Sequence, residues 1–405
     1  MNRIPFKSAE ILVPKDIDMQ KWSVVACDQY TSQPEYWEEV KSFVGSAPST
    51  LNMIFPEVYL NDDDAAGRIK SINKTMNRYL GDGIFRRLEN SLVYVERTVG
   101  GGKVRRGIVG SVDLEAYNYN KGSRTPIRAT EGTVLERIPP RVKIRKNAVL
   151  ELPHIMLLID DPEFLVEKSV DISRGEKIYD FDLMKNSGHI TGYRIKADKV
   201  ISALIKLDRK ITDKSVPLFA VGDGNHSLAT AKACWEQIKK TLTPAELENH
   251  PARFPLVEIV NVHDDALVFE PIHRVVFGCD PEKLVSELKS RCAGHGEQKI
   301  RWITADGSGE VITDSSVSSL AVGTLQSFLD EYTEKNGGTV DYIHGADVVE
   351  KLAKESGNAG FLLPVMEKSQ LFKTVASDGA LPRKTFSMGE AWEKRFYVEC
   401  KQIVK

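Results

Sequence analysis

Apolar and polar residues follow two different periods along the chain, and this predicts a mixed α/β fold. Short apolar runs bounded by glycine, proline or polar turns predict buried strands at residues 23–27, 154–159, 217–221, 255–263, 266–277 and 359–365. Apolar residues at helical spacing predict helices at residues 65–80, 197–210, 229–239, 280–289, 316–336 and 346–355. Residues 162–215 as a whole, which include the helix at 197–210, are interpreted as helical and connecting structure. We expect a mixed sheet flanked by helices.

The segment from Val216 to Lys239 concentrates polar chemistry between a predicted strand and a predicted helix. The turn between them reads Gly222-Asp223-Gly224-Asn225-His226-Ser227. Such a turn places unpaired backbone N–H groups and the positive end of a helix at one point, which suits a phosphate or a carboxylate. The alternative is that Asn225 or Ser227 caps the helix and the glycines serve only the turn. The density of polar residues favours a functional site.

Residues 122–161 form a second polar segment, with five arginines between positions 124 and 145. Guanidinium groups match the geometry of phosphate oxygens, so Arg128 and Arg137 are candidate phosphate ligands. The alternative is a solvated surface of salt bridges. Residues 124–133 show no period, which predicts an ordered loop, and a helix from residue 134 is expected to be interrupted at Pro139-Pro140. His154 precedes an apolar run and is interpreted as a core histidine.

Length, charge and cysteine content narrow the class of protein. The 405 residues carry a formal net charge of -2, which leaves no electrostatic footprint for nucleic acid or an anionic membrane. Five scattered cysteines without a C-x-x-C pair argue against disulfides and a structural zinc site. No apolar run is long enough to span a membrane, so we expect a soluble, cytoplasmic protein. Residues 1–280 are predicted to form a catalytic α/β core, and residues 281–405 a C-terminal α/β segment that contributes the loop at 381–390 to the site.

Four segments, taken in order, resemble the DUF1015 family of proteins of unknown function. They are Glu131-Gly132-Thr133, Asp223-Gly224-Asn225-His226-Ser227, Pro271-Ile272-His273-Arg274 and Leu381-Pro382-Arg383-Lys384-Thr385. The second is similar to the family's Asp-Gly-His-His-Arg turn but carries Asn225 and Ser227 where that pattern has histidine and arginine. That family turn is in its own right similar to the phosphate-binding turn of the ParB/sulfiredoxin-like superfamily, which implies a core of that type.

The resemblance implies nucleotide-dependent phosphoryl transfer involving a small hydroxy amino acid, with serine or phosphoserine as the first candidate and ATP or ADP as co-substrate. In this hypothesis Asp223, His226 and Glu131 are catalytic, and Asp223 and Glu131 hold Mg²⁺. The phosphates bind to Gly224, Asn225, Ser227, Arg128, Thr133 and Arg137. The substrate binds to Asp28, His273, Arg274, Arg383 and Lys384. Asp28, Glu131 and Asp223 are expected to share one cleft.

Two other hypotheses use the same turn. A phosphoserine phosphatase-type hydrolase would use the oxyanion site with water as acceptor, and a ParB-like regulator would bind a nucleotide as a switch. The near-neutral charge and the lack of a basic DNA-binding segment count against the regulator. No Walker A sequence is present, so the chain is not a P-loop kinase. The direction of transfer, the nucleotide base and the oligomeric state stay open at this point.

Overall fold

The chain forms two compact units. The computed structural model describes residues 4–60, 62–314, 318, 320–382 and 384–404. Unit 1 comprises Met1–Ala129, Thr133–Leu267 and Glu390–Lys405, and unit 2 comprises Thr130–Gly132 and Val268–Gly389. Residues 390–405 thus return to the first unit, which a division at residue 280 does not foresee. None of the described helices combines the length and apolar character needed to cross a bilayer.

Unit 1 is built around a sheet with helices on both faces. Numbered along the whole chain, its strands are β1 Phe6–Lys7, β2 Ala9–Pro14, β3 Phe85–Thr98, β4 Val104–Val112, β5 Tyr117–Asn118, β6 Ile127–Ala129, β7 Leu150–Glu151, β8 Met156–Ile159, β9 Glu176–Asp182, β10 His189–Ile195, β11 Phe219–Asp223, β12 Leu256–Asn261 and β19 Lys401–Gln402. Its helices are α1 Met19–Trp22, α2 Pro34–Val44, α3 Ala65–Gly81, α4 Ile138–Arg145, α5 Leu165–Lys168, α6 Ala197–Lys210, α7 Asn225–Ile238 and α8 Pro244–Asn249.

The predicted mixed sheet flanked by helices is confirmed. Within the described part of unit 1, eleven strands join in the order β5-β6-β11-β8-β12-β4-β3-β10-β9, with β1 added beside β4 and β2 beside β3. The pairs β5/β6, β6/β11 and β8/β12 are parallel, and the other pairs in this sheet are antiparallel. β19 pairs with β7 outside it.

Alternation along the central strands divides the apolar residues of unit 1 between the two faces of the sheet. On β3, Leu92 and Tyr94 belong to one core cluster, while Val93 and Val95 belong to another. Because neighbouring side chains of a strand point to opposite faces, these clusters lie on opposite sides of the sheet. Helices α6 and α7 pack into the first cluster, and α2 packs into the second.

The structure differs from the sequence prediction in four places. Residues 176–195, interpreted as helical and connecting structure, contain the antiparallel strands β9 and β10. Residues 23–27 are not a strand, since Val25 makes only an isolated bridge to Phe396. The predicted loop at 124–133 contains the three-residue strand β6, which is too short to show a period. The two prolines lie in the first turn of α4 and begin that helix, where a missing N–H costs nothing.

Unit 2 contains a smaller antiparallel sheet. Its strands are β13 Phe269–Phe277, β14 Lys299–Thr304, β15 Gly307–Ile312, β16 Thr339–His344, β17 Ala359–Leu362 and β18 Phe386–Met388, and its helices are α9 Pro281–Cys292, α10 Ala321–Asn336, α11 Ala346–Ala353 and α12 Gln370–Asp378. The described strands pair in the order β15-β14-β17-β13-β16, and β18 pairs with β13.

A buried ion network holds the C-terminal segment inside unit 1. The Arg395 guanidinium donates to Glu258 on β12 at 2.6 Å and to Glu399 at 2.7 Å, and it also donates to the carbonyl of Pro153. Glu399 is fully buried and accepts a further hydrogen bond of 2.5 Å from the hydroxyl of Tyr179. Two buried carboxylates therefore share one cation, and neither has water to replace it.

Replacing the cation should destabilise unit 1 strongly. We expect Arg395→Met to lower the free energy of unfolding by about 3–5 kcal/mol, because Glu258 and Glu399 lose their cation while they stay buried. The matched control is Arg174→Met, which removes an exposed arginine paired with Asp171 and should change stability by no more than about 0.5 kcal/mol. Denaturant unfolding measures both, and similar losses in the two variants would contradict a stabilising role for the network.

Candidate active site

The turn at residues 222–227 joins β11 directly to α7. Gly224 is the residue before the helix and has a φ of 75°, in the left-handed region that favours glycine. A Cβ at this position would lie 3.0 Å from the Cα of Ile155, so a side chain has neither the conformation nor the space. Position 224 therefore requires glycine, and this residue brings the start of the helix close to the strand end.

The first turn of α7 presents donors without partners. No side chain caps the helix, and the backbone N–H groups of Asn225, His226 and Ser227 have no hydrogen-bond partner among the described residues. Leu228 is the first residue to make a helical hydrogen bond, of 3.0 Å to Gly224. The capping alternative is therefore wrong for Asn225 and Ser227. Because helix starts carry partial positive charge, these groups form a cradle for an anion.

Two side-chain atoms beside these N–H groups are also buried without a partner in the described structure: Asn225 Oδ1 and His226 Nε2. The Asn225 amide nitrogen donates 3.3 Å back to the carbonyl of Val221, which fixes the orientation of the side chain. A buried polar atom without a partner costs free energy, and in native structures it usually indicates a ligand or water. The two unpartnered atoms therefore indicate that a ligand or water binds at this turn.

His226 is neutral because it is buried and has two arginines nearby. Burial lowers the pKa of its imidazole, and the positive charges of Arg141 and Arg137 lower it further, to about 4. Asp28 opposes this shift without cancelling it. The two arginines add positive charge near the histidine, which favours the binding of a phosphate at this turn.

The arginine segment divides between the two readings of the sequence. Arg141 pairs with Glu57, and Arg145 pairs with Glu151 at 2.5 Å, as a salt-bridged surface requires. Arg137 is exposed, and its guanidinium makes no ion pair or hydrogen bond with the described residues. It is therefore the arginine of the pair around His226 that can reach a ligand without giving up a partner.

Asp223 is held by two donors. Its Oδ1 accepts 2.8 Å from the N–H of Gly224, and its Oδ2 lies 3.5 Å from the Lys394 ammonium. Among the described residues Asp223 belongs to no group of three ligand atoms close enough to hold one metal ion. The protein alone therefore does not form a magnesium site at Asp223. A magnesium ion that arrives with a nucleotide needs only one or two protein carboxylates, and Asp223 can supply one.

A line of hydrogen bonds runs under the turn from Ser227 to Cys27. The Ser227 hydroxyl lies 2.8 Å from His154 Nε2, and His154 Nδ1 lies 2.9 Å from the Tyr397 hydroxyl. The Tyr397 oxygen also accepts from the N–H of Cys27 at 3.2 Å. Burial raises the pKa of Tyr397 well above its ordinary value, so the phenol keeps its proton. We assign that proton to a hydrogen bond with His154 Nδ1.

This tautomer makes His154 Nε2 a donor to Ser227, so the pair is not arranged as a base with its nucleophile. Asp28 Oδ2 lies 4.0 Å from the same Nε2. Burial alone would raise the pKa of Asp28, but the neighbouring His154, a hydrogen bond from Gln29 and the charge of Lys394 lower it overall. Asp28 and Ser227 thus lie at the same nitrogen of the His154 ring, and Tyr397 lies at the other. His154 was interpreted as a core histidine, and it is buried with both ring nitrogens paired, yet it also supports the turn.

Arg128 and Thr133 occupy different settings within unit 1. Arg128 lies on β6 beside β11 and is 4% exposed, and its Nε donates 3.0 Å to the carbonyl of Thr125. Burial, with Arg124 nearby, lowers the pKa of Arg128. The Thr133 hydroxyl is buried and has no partner in the described structure. Neither residue is tied to the turn by a described hydrogen bond.

Three of the four family-like segments meet within unit 2. The N–H of Leu381 donates 2.7 Å to the carbonyl of Thr130, and Glu131 forms a parallel bridge with Leu381. The segment that begins at Pro271 lies on β13, where Pro271 is paired with Phe386 of β18. Segments that are more than 100 residues apart in sequence therefore contact one another.

The other predicted substrate residues are also in unit 2. Arg274 is fully buried, donates 2.8 Å to Gln326 and lies 4.5 Å from the ring centre of Tyr342. His273 accepts 3.1 Å from the N–H of Leu363, and burial lowers the pKa of its imidazole to about 4. Lys384 lies 5.3 Å from the Tyr342 ring. Arg383 lies outside the described residues.

The sequence relates the chain to one family. A model described as "Protein of unknown function (DUF1015)" matches residues 5–365. The chain belongs to the DUF1015 family. No curated protein matches it significantly.

Comparison of this DUF1015 protein with solved structures gives similarities at low identity. A variant of free serine kinase in complex with AMP is 11% identical, with 73% of this chain and 92% of that chain covered and a TM-score of 0.40. SbnI with a C-terminal truncation from Staphylococcus aureus is 9% identical, with coverage of 69% and 82% and a TM-score of 0.37. A conserved hypothetical protein from Pyrococcus furiosus is 10% identical, with coverage of 75% and 96% and a TM-score of 0.37. Scores at this level do not carry a functional assignment.

The charge state of His226 can be measured directly. We expect its imidazole to titrate near pH 4 in the folded protein, against about 6.5 in an unfolded chain. Between these values the unfolded chain binds more protons, so stability rises with pH across the window and falls as pH is lowered through it. NMR of the ring protons gives the midpoint.

His226→Asn should remove part of this pH dependence of unfolding, whereas His295→Asn, at an exposed histidine, should leave it in place. A His226 midpoint near 6.5 would show that neither burial nor the two arginines act on this imidazole.

Proposed function

We propose that this DUF1015 protein transfers a phosphoryl group between a nucleotide, ATP or ADP, and a small hydroxy amino acid, with serine or phosphoserine as the first candidate. One observation carries the proposal: the first turn of α7 combines backbone donors that have no partner among the described residues with a buried, neutral His226 that has two arginines nearby. Phosphoryl transfer depends mainly on positioning and on neutralising the charge of the phosphate oxygens. The turn offers both.

The phosphate-binding role falls on the backbone of residues 225–227 and on Arg137. Helix N–H groups bind phosphate oxygens directly, and an arginine without a protein partner can add a charge-assisted hydrogen bond without breaking an ion pair. The glycine at 224 lets the phosphate approach the backbone. We include the turn among those of ParB/sulfiredoxin-like type as part of this proposal.

The chemical step is proposed to involve Asp223 and His226. The acceptor hydroxyl must lose a proton as its oxygen attacks the γ-phosphorus of ATP, while the bond from that phosphorus to the bridging oxygen breaks and ADP leaves. Asp223 is the carboxylate of the turn that can accept that proton or bind the nucleotide's Mg²⁺. His226 is neutral and can donate a hydrogen bond through its ring N–H to a phosphoryl oxygen. The negative charge of a bound phosphate would raise the pKa of His226, which would then strengthen that hydrogen bond.

The remaining residues of the hypothesis keep proposed roles of narrower scope. Asp28, which is ionised beside His154, is the candidate in unit 1 for the ammonium group of the amino acid. Arg128 and Thr133 are candidates for further phosphate contacts. In unit 2, Glu131 is proposed as a second catalytic carboxylate, and the substrate roles of His273, Arg274, Arg383 and Lys384 rest on the family resemblance.

The test is incubation of the protein with serine plus ATP, and separately with phosphoserine plus ADP, each with Mg²⁺. Mass spectrometry should detect both members of a pair, phosphoserine with ADP or serine with ATP. Release of inorganic phosphate from phosphoserine without nucleotide would favour the phosphatase instead. Nucleotide binding without any turnover would favour the regulator.

Removing the imidazole should affect turnover more than binding. We expect His226→Gln to reduce kcat by on the order of a hundred-fold, because the variant loses a group that stabilises the transferring phosphoryl oxygens. The nucleotide Kd should change little, since the backbone N–H groups remain. A loss of activity that follows a loss of folded protein, measured by melting temperature on the same preparation, would show that His226 is only structural.

Removing the exposed arginine should affect binding more than folding. We expect Arg137→Ala to weaken the binding of ATP and of phosphoserine by roughly ten-fold, which is the effect expected from losing one charge-assisted hydrogen bond. The melting temperature should stay within a few degrees. Arg174→Ala, at an exposed arginine that pairs with Asp171, is the matched control and should leave affinity unchanged. Equal affinities in the two variants would show that Arg137 is a solvated surface residue that does not contact the ligand.

A further inference from the structure

A cavity of about 150 Å³ lies beside the turn within unit 1. We propose that it seats the base of the nucleotide and that it selects bases with an exocyclic amino group. This inference rests on the proposed function and adds a subsite to it. The cavity is lined by Ser227 and Thr230 of α7, by Arg141 and the end of α4, by part of α3 and by the segment around Glu57.

The position of the cavity fits the length of a nucleotide. Ser227 contributes one of the N–H groups proposed for phosphate, and Thr230 follows it by less than one helical turn, which rises about 5.4 Å. The same stretch of α7 therefore borders both the phosphate cradle and the cavity. A ligand whose phosphates lie on the cradle would place its next group along this wall.

The lining matches a planar ring better than an amino-acid side chain. Most of it is apolar and includes Met53, Phe55, Ile72, Met76, Ala148 and Leu256. Apolar and methionine side chains pack well against the faces of aromatic rings. Serine carries a single hydroxyl on one carbon and would leave nearly all of this surface uncovered. A nucleobase covers it with its two faces and leaves its polar edge free to meet a polar group.

Glu57 is the group that would meet that edge. Its Oε1 accepts a hydrogen bond from Arg141, and the structure gives its Oε2 no hydrogen-bond partner among the described residues. The side chain is 17% exposed. A carboxylate oxygen in this setting accepts a hydrogen bond but cannot donate one, so it favours an amino group over a carbonyl. Adenine presents such a group, and hypoxanthine presents a carbonyl in its place.

The experiment uses three probes: ATP, ITP and tripolyphosphate, with affinities from calorimetry on the full chain. The wild-type protein should bind ATP at least ten-fold more tightly than ITP, and also more tightly than tripolyphosphate. Glu57→Gln still accepts from Arg141 through its amide oxygen but turns an NH₂ group toward the base. The variant should bind ATP about ten-fold more weakly than the wild type does, and its affinity for ITP should rise relative to its affinity for ATP. Its affinity for tripolyphosphate should not change.

A second variant tests the cavity itself. Ala148→Leu adds three carbons to the lining. It should weaken ATP binding by at least ten-fold without affecting tripolyphosphate binding. Ala245→Leu makes the same change at an exposed position of α8 and should leave all three affinities as in the wild type. Melting temperatures of all the variants establish that they are folded.

The outcomes separate this inference from the proposed function. Equal binding of ATP, ITP and tripolyphosphate, unaffected by both substitutions in the cavity, would leave the phosphate cradle standing and overturn the base site. Parallel losses of ATP and tripolyphosphate in Ala148→Leu would also overturn it, because the substitution would then act on the turn. Absence of binding by all three probes would overturn the phosphate cradle together with the base site.

Discussion

The site in unit 1 depends on Arg395. This buried guanidinium ties the C-terminal segment to β12 through Glu258 and to the segment before His154 through the Pro153 carbonyl. Its neighbours in sequence then reach the turn: Lys394 lies beside Asp223, and Tyr397 lies under His154. A charge buried this deeply has few alternative arrangements, because each of its partners would lose its own compensation if the segment moved. The network thus fixes where a cation and a phenol stand relative to α7.

Local sequence was sufficient for the turn and for the neighbouring strands β8, β11 and β12 of the large sheet. In the strand before Gly222 and in the helix after Gly224, the spacing of apolar residues is recognisable within a few residues. Glycines mark the change from strand to helix. The hairpin β9–β10 was missed because its first strand, Glu176–Asp182, is rich in charged residues and has few β-branched ones. The hairpin forms because β10 pairs with β3 along its length, a contact between segments about ninety residues apart that local propensity does not predict.

The supporting residues of the site could not be predicted for a similar reason. Lys394 and Tyr397 follow the turn by about 170 residues, and nothing in their own surroundings marks them as different from surface or core residues. His154 had a signal, since it precedes a buried strand, but the same signal is typical of a core histidine. Only the pairing of β8 with β11 brings it to Ser227. Arg137 differs from Arg141 and Arg145 because it makes no ion pair with the described residues, and the sequence does not reveal this difference.

The discontinuity of unit 1 has a consequence for how the protein is made. The strand β11 and helix α7 leave the ribosome well before residues 395–400, with the whole of segment 268–389 synthesised between them. Until then Glu258 lacks its cation and His154 lacks Tyr397, so the sheet around them is exposed to water and to other chains. Contacts over such separations are slow to form, and partly built sheets are prone to association. The nascent chain would therefore acquire its anion cradle late, and its dependence on chaperones should be greatest in that interval.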